Sequence, residues 1–167
     1  MNALAIASER ARSIRGFTFI ELMVTLAIMA VLVSVAVPMA QIAVQRQKER
    51  ELRAALTDIR EAIDAYKRAT TQGRIAISLG DSGYPKSLAE LVEGVPDQRS
   101  PSQKMIFFLR RLPADPMQPL RSSDPERGWG LRSYSSPPDD PQEGEDVFDV
   151  YSTSEGLGLN GVPYRQW

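Results

Sequence analysis

The sequence predicts an α+β protein shaped like a lollipop, with a long N-terminal helix packed on a small head that contains a short antiparallel sheet. Two observations carry this prediction. An apolar run and a helical stripe follow one another over residues 17–70, with no turn signal that must end a helix. Beyond them, glycines and prolines multiply, and short segments alternate between apolar and polar residues.

The apolar run predicts a transmembrane segment over residues 17–38. Glu21 is the only ionisable residue between Phe17 and Val37, and roughly 20 apolar residues cross a bilayer core of about 30 Å. A buried helix of a soluble protein has a similar composition. The membrane is favoured because three arginines precede the run: Arg10, Arg12 and Arg15. Basic residues beside a membrane helix also predict that the N-terminal end faces the cytoplasm.

An amphipathic helix is predicted to continue through residues 39–72. Pro38 removes one backbone donor and loosens the helix locally, but the helical pattern resumes directly after it. The apolar stripe advances in steps of four and three residues: Leu52, Leu56, Ile59, Ile63 and Tyr66. Gly73 is the predicted stop.

The remaining residues, 73–167, form the predicted head domain. Ser87 and Glu90 have the spacing of a capping box, so a helix is predicted there. The predicted elements are a short helix, a further short helix or strand, and two strands: Ser87–Val92, Ile106–Leu112, Trp129–Ser135 and Val147–Ser152.

The composition argues against most catalytic classes. The chain has no Cys and no His, which excludes Cys or His nucleophile–base pairs and ordinary zinc sites, and its net charge of -1 gives no case for a nucleic-acid partner. No phosphate loop or nucleophile elbow is present. A protein that is not an enzyme is therefore predicted. A membrane-tethered periplasmic enzyme or binding protein stays an alternative, because paired carboxylates are common in the chain.

The segment G-F-T-F-I-E-L, which follows a short basic leader, resembles the class III signal of type IV pilins and type II secretion pseudopilins. The resemblance implies that a prepilin peptidase cuts between Gly16 and Phe17, removes residues 1–16 and N-methylates Phe17. It also implies that Glu21 pairs with the new ammonium during assembly, and Pro38 is the second predicted assembly residue. Monomethylation keeps the positive charge, so a buried carboxylate has a partner of opposite sign.

An ordinary secretory signal is the alternative for the same segment. Ser34–Ala36 offers a small-residue cleavage site. The apolar stretch is longer than the usual 7–15 residues, and Glu21 would have no role inside it. Both points favour the prepilin interpretation.

Three segments of the head, together with Trp167, resemble the major pseudopilin (G subunit) of type II secretion: Gly83–Val92, Phe108–Pro116 and Val147–Ser152. This resemblance implies a structural subunit, made as a single-pass inner-membrane precursor with a periplasmic C-terminal domain, that assembles into a filament driving protein export. Implied partners are further copies in a helical filament, other pseudopilins, the inner-membrane assembly platform and the prepilin peptidase. A type IV pilus or DNA-uptake minor pilin is the alternative.

The G subunits of that family bind calcium in a C-terminal loop, and the corresponding residues here are 152–161. The resemblance implies Ser154, Glu155 and Asn160 as ligands. The other acidic residues of the family's loop are missing, and calcium needs six to eight oxygens. A metal-free turn closed by glycines and by Tyr164 and Trp167 is therefore the favoured alternative, and no other cofactor is predicted.

Overall fold

A computed structural model describes residues 16–102, 104–118 and 128–167 of the 167-residue chain. The predicted leader up to residue 15, with its three arginines, lies outside the described residues. The elements in chain order are α1 (Phe19–Thr71), α2 (Ala89–Glu93), β1 (Val95–Pro96), β2 (Met105–Ile106), β3 (Trp129–Arg132), β4 (Asp149–Ser152) and a 3₁₀ helix (Tyr164–Gln166). The predicted α+β class, with a long N-terminal helix and short antiparallel sheets, is confirmed.

The chain divides into two compact units, with the boundary between Ile42 and Ala43. In the first unit, every described residue is exposed. Helix α1 includes a segment that is long and apolar enough to cross a membrane, and none of that segment is buried within the chain. A signal sequence near an N-terminus is also long and apolar in this way.

The core of the second unit is built on the apolar stripe of α1. The five predicted residues are all buried: Leu52, Leu56, Ile59, Ile63 and Tyr66. Residues Leu88 and Leu91 around α2, and Val147 and Val150 around β4, belong to the same core. The 3.6-residue period therefore predicted the buried face of α1 correctly. In an amphipathic helix the apolar residues recur with this period on the side that packs against the core, and the opposite side faces solvent.

Helix α1 ends at Thr71 in a Schellman motif. The Gly73 N–H donates to the Thr70 carbonyl at 2.8 Å, and the Arg74 N–H donates to the Ala69 carbonyl at 3.0 Å. Gly73 has φ of 70°, a left-handed conformation that glycine adopts without a steric penalty. The predicted stop is thus confirmed.

Two small antiparallel sheets form in the second unit. Strand β1 pairs with β2, with Val95 opposite Ile106. Strand β3 pairs with β4, with Trp129 opposite Ser152, and the Trp129 indole N–H donates to the Pro113 carbonyl at 2.9 Å. The β3–β4 pair lies within the two predicted strand segments, whereas β1 and β2 were not predicted as a pair.

Three local predictions differ from the structure. Ser87 does not cap α2, which begins at Ala89 without a side-chain cap; the Glu90 carboxylate instead accepts the Tyr66 hydroxyl at 3.1 Å and the Lys86 N–H at 3.2 Å. Segment 106–112 is not a regular element beyond β2, since the N–H groups of Phe108 and Leu109 both donate to Leu91. Strands β3 and β4 are also shorter than predicted.

Candidate functional site

The N-terminal end of α1 is capped by Thr18. Its hydroxyl accepts the Glu21 N–H at 3.2 Å, and its carbonyl accepts the Leu22 N–H at 3.1 Å as the first bond of the helix. A threonine in this position satisfies a backbone donor that the helix itself leaves unpaired. Sequence reasoning missed this role, although the spacing T-F-I-E at residues 18–21 is the sequence signature of a helix start.

Glu21 is the acidic residue of the first turn of α1. The aligned peptide dipoles place about half a positive charge at this end of a helix, so a carboxylate here is stabilised by roughly 0.3–1 kcal/mol. The side chain is exposed within the single chain. Its position four residues after Phe17 puts the two residues about one helical turn apart in sequence.

Gly16 and Phe17 precede the helix and are both exposed, with Phe17 at 82%. A Cβ atom added at Gly16 would meet nothing within 4 Å. Packing within the described chain therefore does not require a glycine at this position. The predicted processing of the Gly16–Phe17 bond stays a prediction.

Polar side chains of the apolar segment are bonded to their own helix. The Thr25 hydroxyl donates to the Leu22 carbonyl at 2.9 Å, and the Ser34 hydroxyl donates to the Val31 carbonyl at 2.7 Å. Neither side chain therefore brings an unpaired donor into an apolar environment. Pro38 lies inside α1 and does not end it; its assembly role stays a prediction.

The C-terminal loop holds the three residues that the resemblance implied for calcium. The Ser154 hydroxyl accepts the Gly156 N–H at 3.4 Å, and the Asn160 carbonyl oxygen accepts the Val162 N–H at 3.1 Å. Glu155 is exposed. Two of the three side-chain oxygens thus already serve turns of the loop.

This donor set does not fit a calcium ion. Calcium takes six to eight oxygens, with affinity that rises with the number of carboxylates, and Glu155 is the only carboxylate among the three implied ligands. Within residues 16–102, 104–118 and 128–167, no group of three or more Asp, Glu, His or Cys residues is placed to hold a metal. The calcium ligands stay a prediction.

Comparisons with known proteins bear on the N-terminal segment. A family profile described as "Prokaryotic N-terminal methylation motif" matches residues 11–37, a range that includes Gly16, Phe17 and Glu21. Searches of curated proteins and of solved structures find no match. The match covers residues 11–37 alone, and it shows that this N-terminal segment carries the sequence motif of prokaryotic N-terminal methylation.

Proposed function

We propose that the chain is a structural subunit of a type II secretion pseudopilus. It is made as a single-pass inner-membrane precursor with a cytoplasmic N-terminus and a periplasmic head. Prepilin peptidase cleaves it between Gly16 and Phe17 and methylates Phe17, and the mature subunit joins a periplasmic filament that drives protein export. In this proposal residues 17–38 are the membrane and assembly segment, residues 39–72 continue the helix, and residues 73–167 are the head.

The methylation motif on an uncovered apolar helix is the observation that carries the proposal. The large apolar side chains of residues 17–35, within the motif segment, are more than half exposed in the chain, Phe19 at 77% and Leu32 at 60% among them. Burial of one such side chain away from water is favourable by roughly 1.5–3 kcal/mol of free energy. Both environments that a prepilin meets, lipid before assembly and neighbouring helices after it, provide this cover.

The charge arrangement explains why a carboxylate belongs in this segment. Cleavage creates an ammonium at Phe17, which needs a partner in an apolar environment. Glu21 supplies the opposite charge one turn further along, either within one subunit or from a neighbour. Because an unpaired buried charge is strongly unfavourable, the pair also opposes sliding of one apolar helix along another.

The secretion assignment, as opposed to a pilus, rests on the resemblance of the head. The segments 83–92, 108–116 and 147–152 are similar to the G subunit, and the chain has no Cys to form the C-terminal disulfide that many true pilins have. A type IV pilus or DNA-uptake minor pilin shares the whole N-terminal segment, so the two candidates differ only in the head.

Deletion of the gene and complementation separate these candidates. The proposal predicts that the deletion strain accumulates exported proteins in the periplasm, keeps twitching motility and DNA uptake, and recovers export with the wild-type chain. A Gly16→Glu variant, which places a large charged side chain directly before the proposed cleavage bond, should not restore export. Loss of twitching or DNA uptake with normal export would instead assign the chain to a pilus.

A further inference from the structure

A buried carboxylate lies at the centre of the contacts between α1 and the C-terminal loop. Glu49 is 7% exposed, and one of its carboxylate oxygens, Oε1, accepts the Leu159 N–H at 2.7 Å and the Tyr164 hydroxyl at 3.1 Å. A buried carboxylate is unfavourable unless hydrogen bonds replace its hydration. The N–H of Leu159 and the hydroxyl of Tyr164 supply these hydrogen bonds. The buried state of Glu49 is therefore favourable only while the C-terminal loop contacts α1.

Gln45, one turn before Glu49, completes the arrangement. Its amide donates to the Tyr164 hydroxyl at 3.0 Å and to the Leu157 carbonyl at 3.2 Å. The Tyr164 hydroxyl therefore accepts from Gln45 and donates to Glu49. Burial, together with the hydrogen bond to the Glu49 carboxylate, raises the pKa of Tyr164, which keeps the hydroxyl protonated as a donor.

The backbone of the loop is closed in a way that aims the Leu159 N–H at the helix. The Gly158 N–H donates to the Val162 carbonyl at 2.9 Å, and the Tyr164 N–H donates to the Gly156 carbonyl at 3.1 Å. A Cβ at Gly158 would lie 2.5 Å from the Trp167 ring, so this position requires glycine. The loop thus presents a fixed backbone donor instead of a set of acidic oxygens.

Two arginines of α1 extend the same contact to the aromatic tail. The Arg53 guanidinium lies 4.3 Å from the centre of the Trp167 ring, and Arg60 donates to the Trp167 carbonyl at 2.9 Å. Gln45, Glu49 and Arg53 follow at intervals of four residues, which places them on one side of the helix. This polar side of α1 holds the C-terminal segment.

We propose that Glu49, with Gln45 and Tyr164, is a carboxylate latch that fastens the C-terminal loop to α1, and that the head therefore folds without calcium. The loop directs a backbone N–H at the carboxylate of the helix, and an N–H cannot ligate a cation, whereas a calcium site needs six to eight oxygen ligands around the ion. This inference concerns the folded state of the chain and does not depend on its role in a filament.

The test uses the full chain in detergent, with thermal unfolding followed by tryptophan fluorescence. Glu49→Gln keeps the size of the side chain but removes its charge, so the midpoint should fall by about 6 °C. The matched control is Glu51→Gln, because Glu51 is exposed on the same helix and accepts a local bond from Gln47. This variant should change the midpoint by less than about 1 °C. Calcium and a chelator should both leave the wild-type midpoint unchanged.

A local readout separates a latch from general destabilisation. Under conditions where the chain stays folded, amide hydrogen exchange in the loop around Leu159 should accelerate in Glu49→Gln, while exchange in β3 stays as in the wild type. Equal behaviour of the Glu49 and Glu51 variants would overturn the latch. A calcium-dependent rise in the wild-type midpoint that Glu155→Gln abolishes would overturn the claim that the head needs no metal.

Discussion

Replacement of Glu21 by valine tests the charge pair at the start of α1. Glu21 lies in the first turn, three residues after the Thr18 cap. Two unit charges about 5–6 Å apart interact by about 3 kcal/mol at an effective dielectric constant of 20. In the proposed filament, a subunit without Glu21 would bury the Phe17 ammonium without such an interaction, so its association constant should fall by about 100-fold.

The assay separates membrane insertion from assembly. Glu21→Val should resist alkaline extraction from membranes as the wild type does, because an apolar side chain lowers the cost of insertion. Cross-linked filament ladders and sheared filaments should be lost. Thr25→Val is the matched control, since the Thr25 hydroxyl bonds the Leu22 carbonyl of its own helix, and this variant should assemble normally. Normal filaments from Glu21→Val would refute the charge-pair reasoning.

Three further predictions concern the second compact unit, which begins at Ala43, and each is measured by thermal or denaturant unfolding. Hydrogen bonding to Arg74, at 2.6 and 3.0 Å, is the main cause that lowers the pKa of Asp97. A carboxyl group whose pKa is lowered on folding stabilises the protein above the unfolded pKa of about 3.9, and this stability is lost as the pH falls through the folded pKa. Asp97→Asn should therefore weaken the pH dependence of the free energy of unfolding below about pH 4. Asp115→Ala should lower the free energy of unfolding by about 2 kcal/mol. In the wild type the fully buried Ser152 hydroxyl donates to the Asp115 carboxylate at 2.5 Å, and the variant removes this acceptor. Ile59→Ala should cost about 3 kcal/mol by leaving a cavity at a fully buried position, and a cost below about 1 kcal/mol would contradict the described core.

Features that depend on neighbouring residues in sequence were predictable. The apolar stripe from Leu52 to Tyr66 follows from the helical period, and the stop at Gly73 follows from the steric freedom of glycine. The resemblance of residues 16–22 to a prepilin signal could be recognised because the glycine, the phenylalanine and the glutamate that carry it lie within seven consecutive residues. The Thr18 cap also depends on neighbouring residues, since its hydroxyl accepts the backbone N–H of Glu21 three residues later. It was missed because Glu21 was interpreted only through the charge of its side chain.

Features that depend on distant residues were not predictable. In the sequence Glu49 is one of several charges in Q-R-Q-K-E-R-E. In the structure it is buried and accepts a hydrogen bond from Leu159, which lies 110 residues further along the chain. The Ser87 capping box was wrong for the same kind of reason, because Tyr66 from α1 engages Glu90. A side chain that satisfies a tertiary partner no longer serves the local role that its spacing indicates.

Mass spectrometry of the mature protein from its native membranes tests the central proposal most directly. The account predicts a polypeptide that begins at Phe17 and carries one methyl group on its α-nitrogen. A chain that begins near Val37 would show cleavage as an ordinary secretory signal, and a chain that retains the arginines before Gly16, in cells with active prepilin peptidase, would contradict processing as a prepilin.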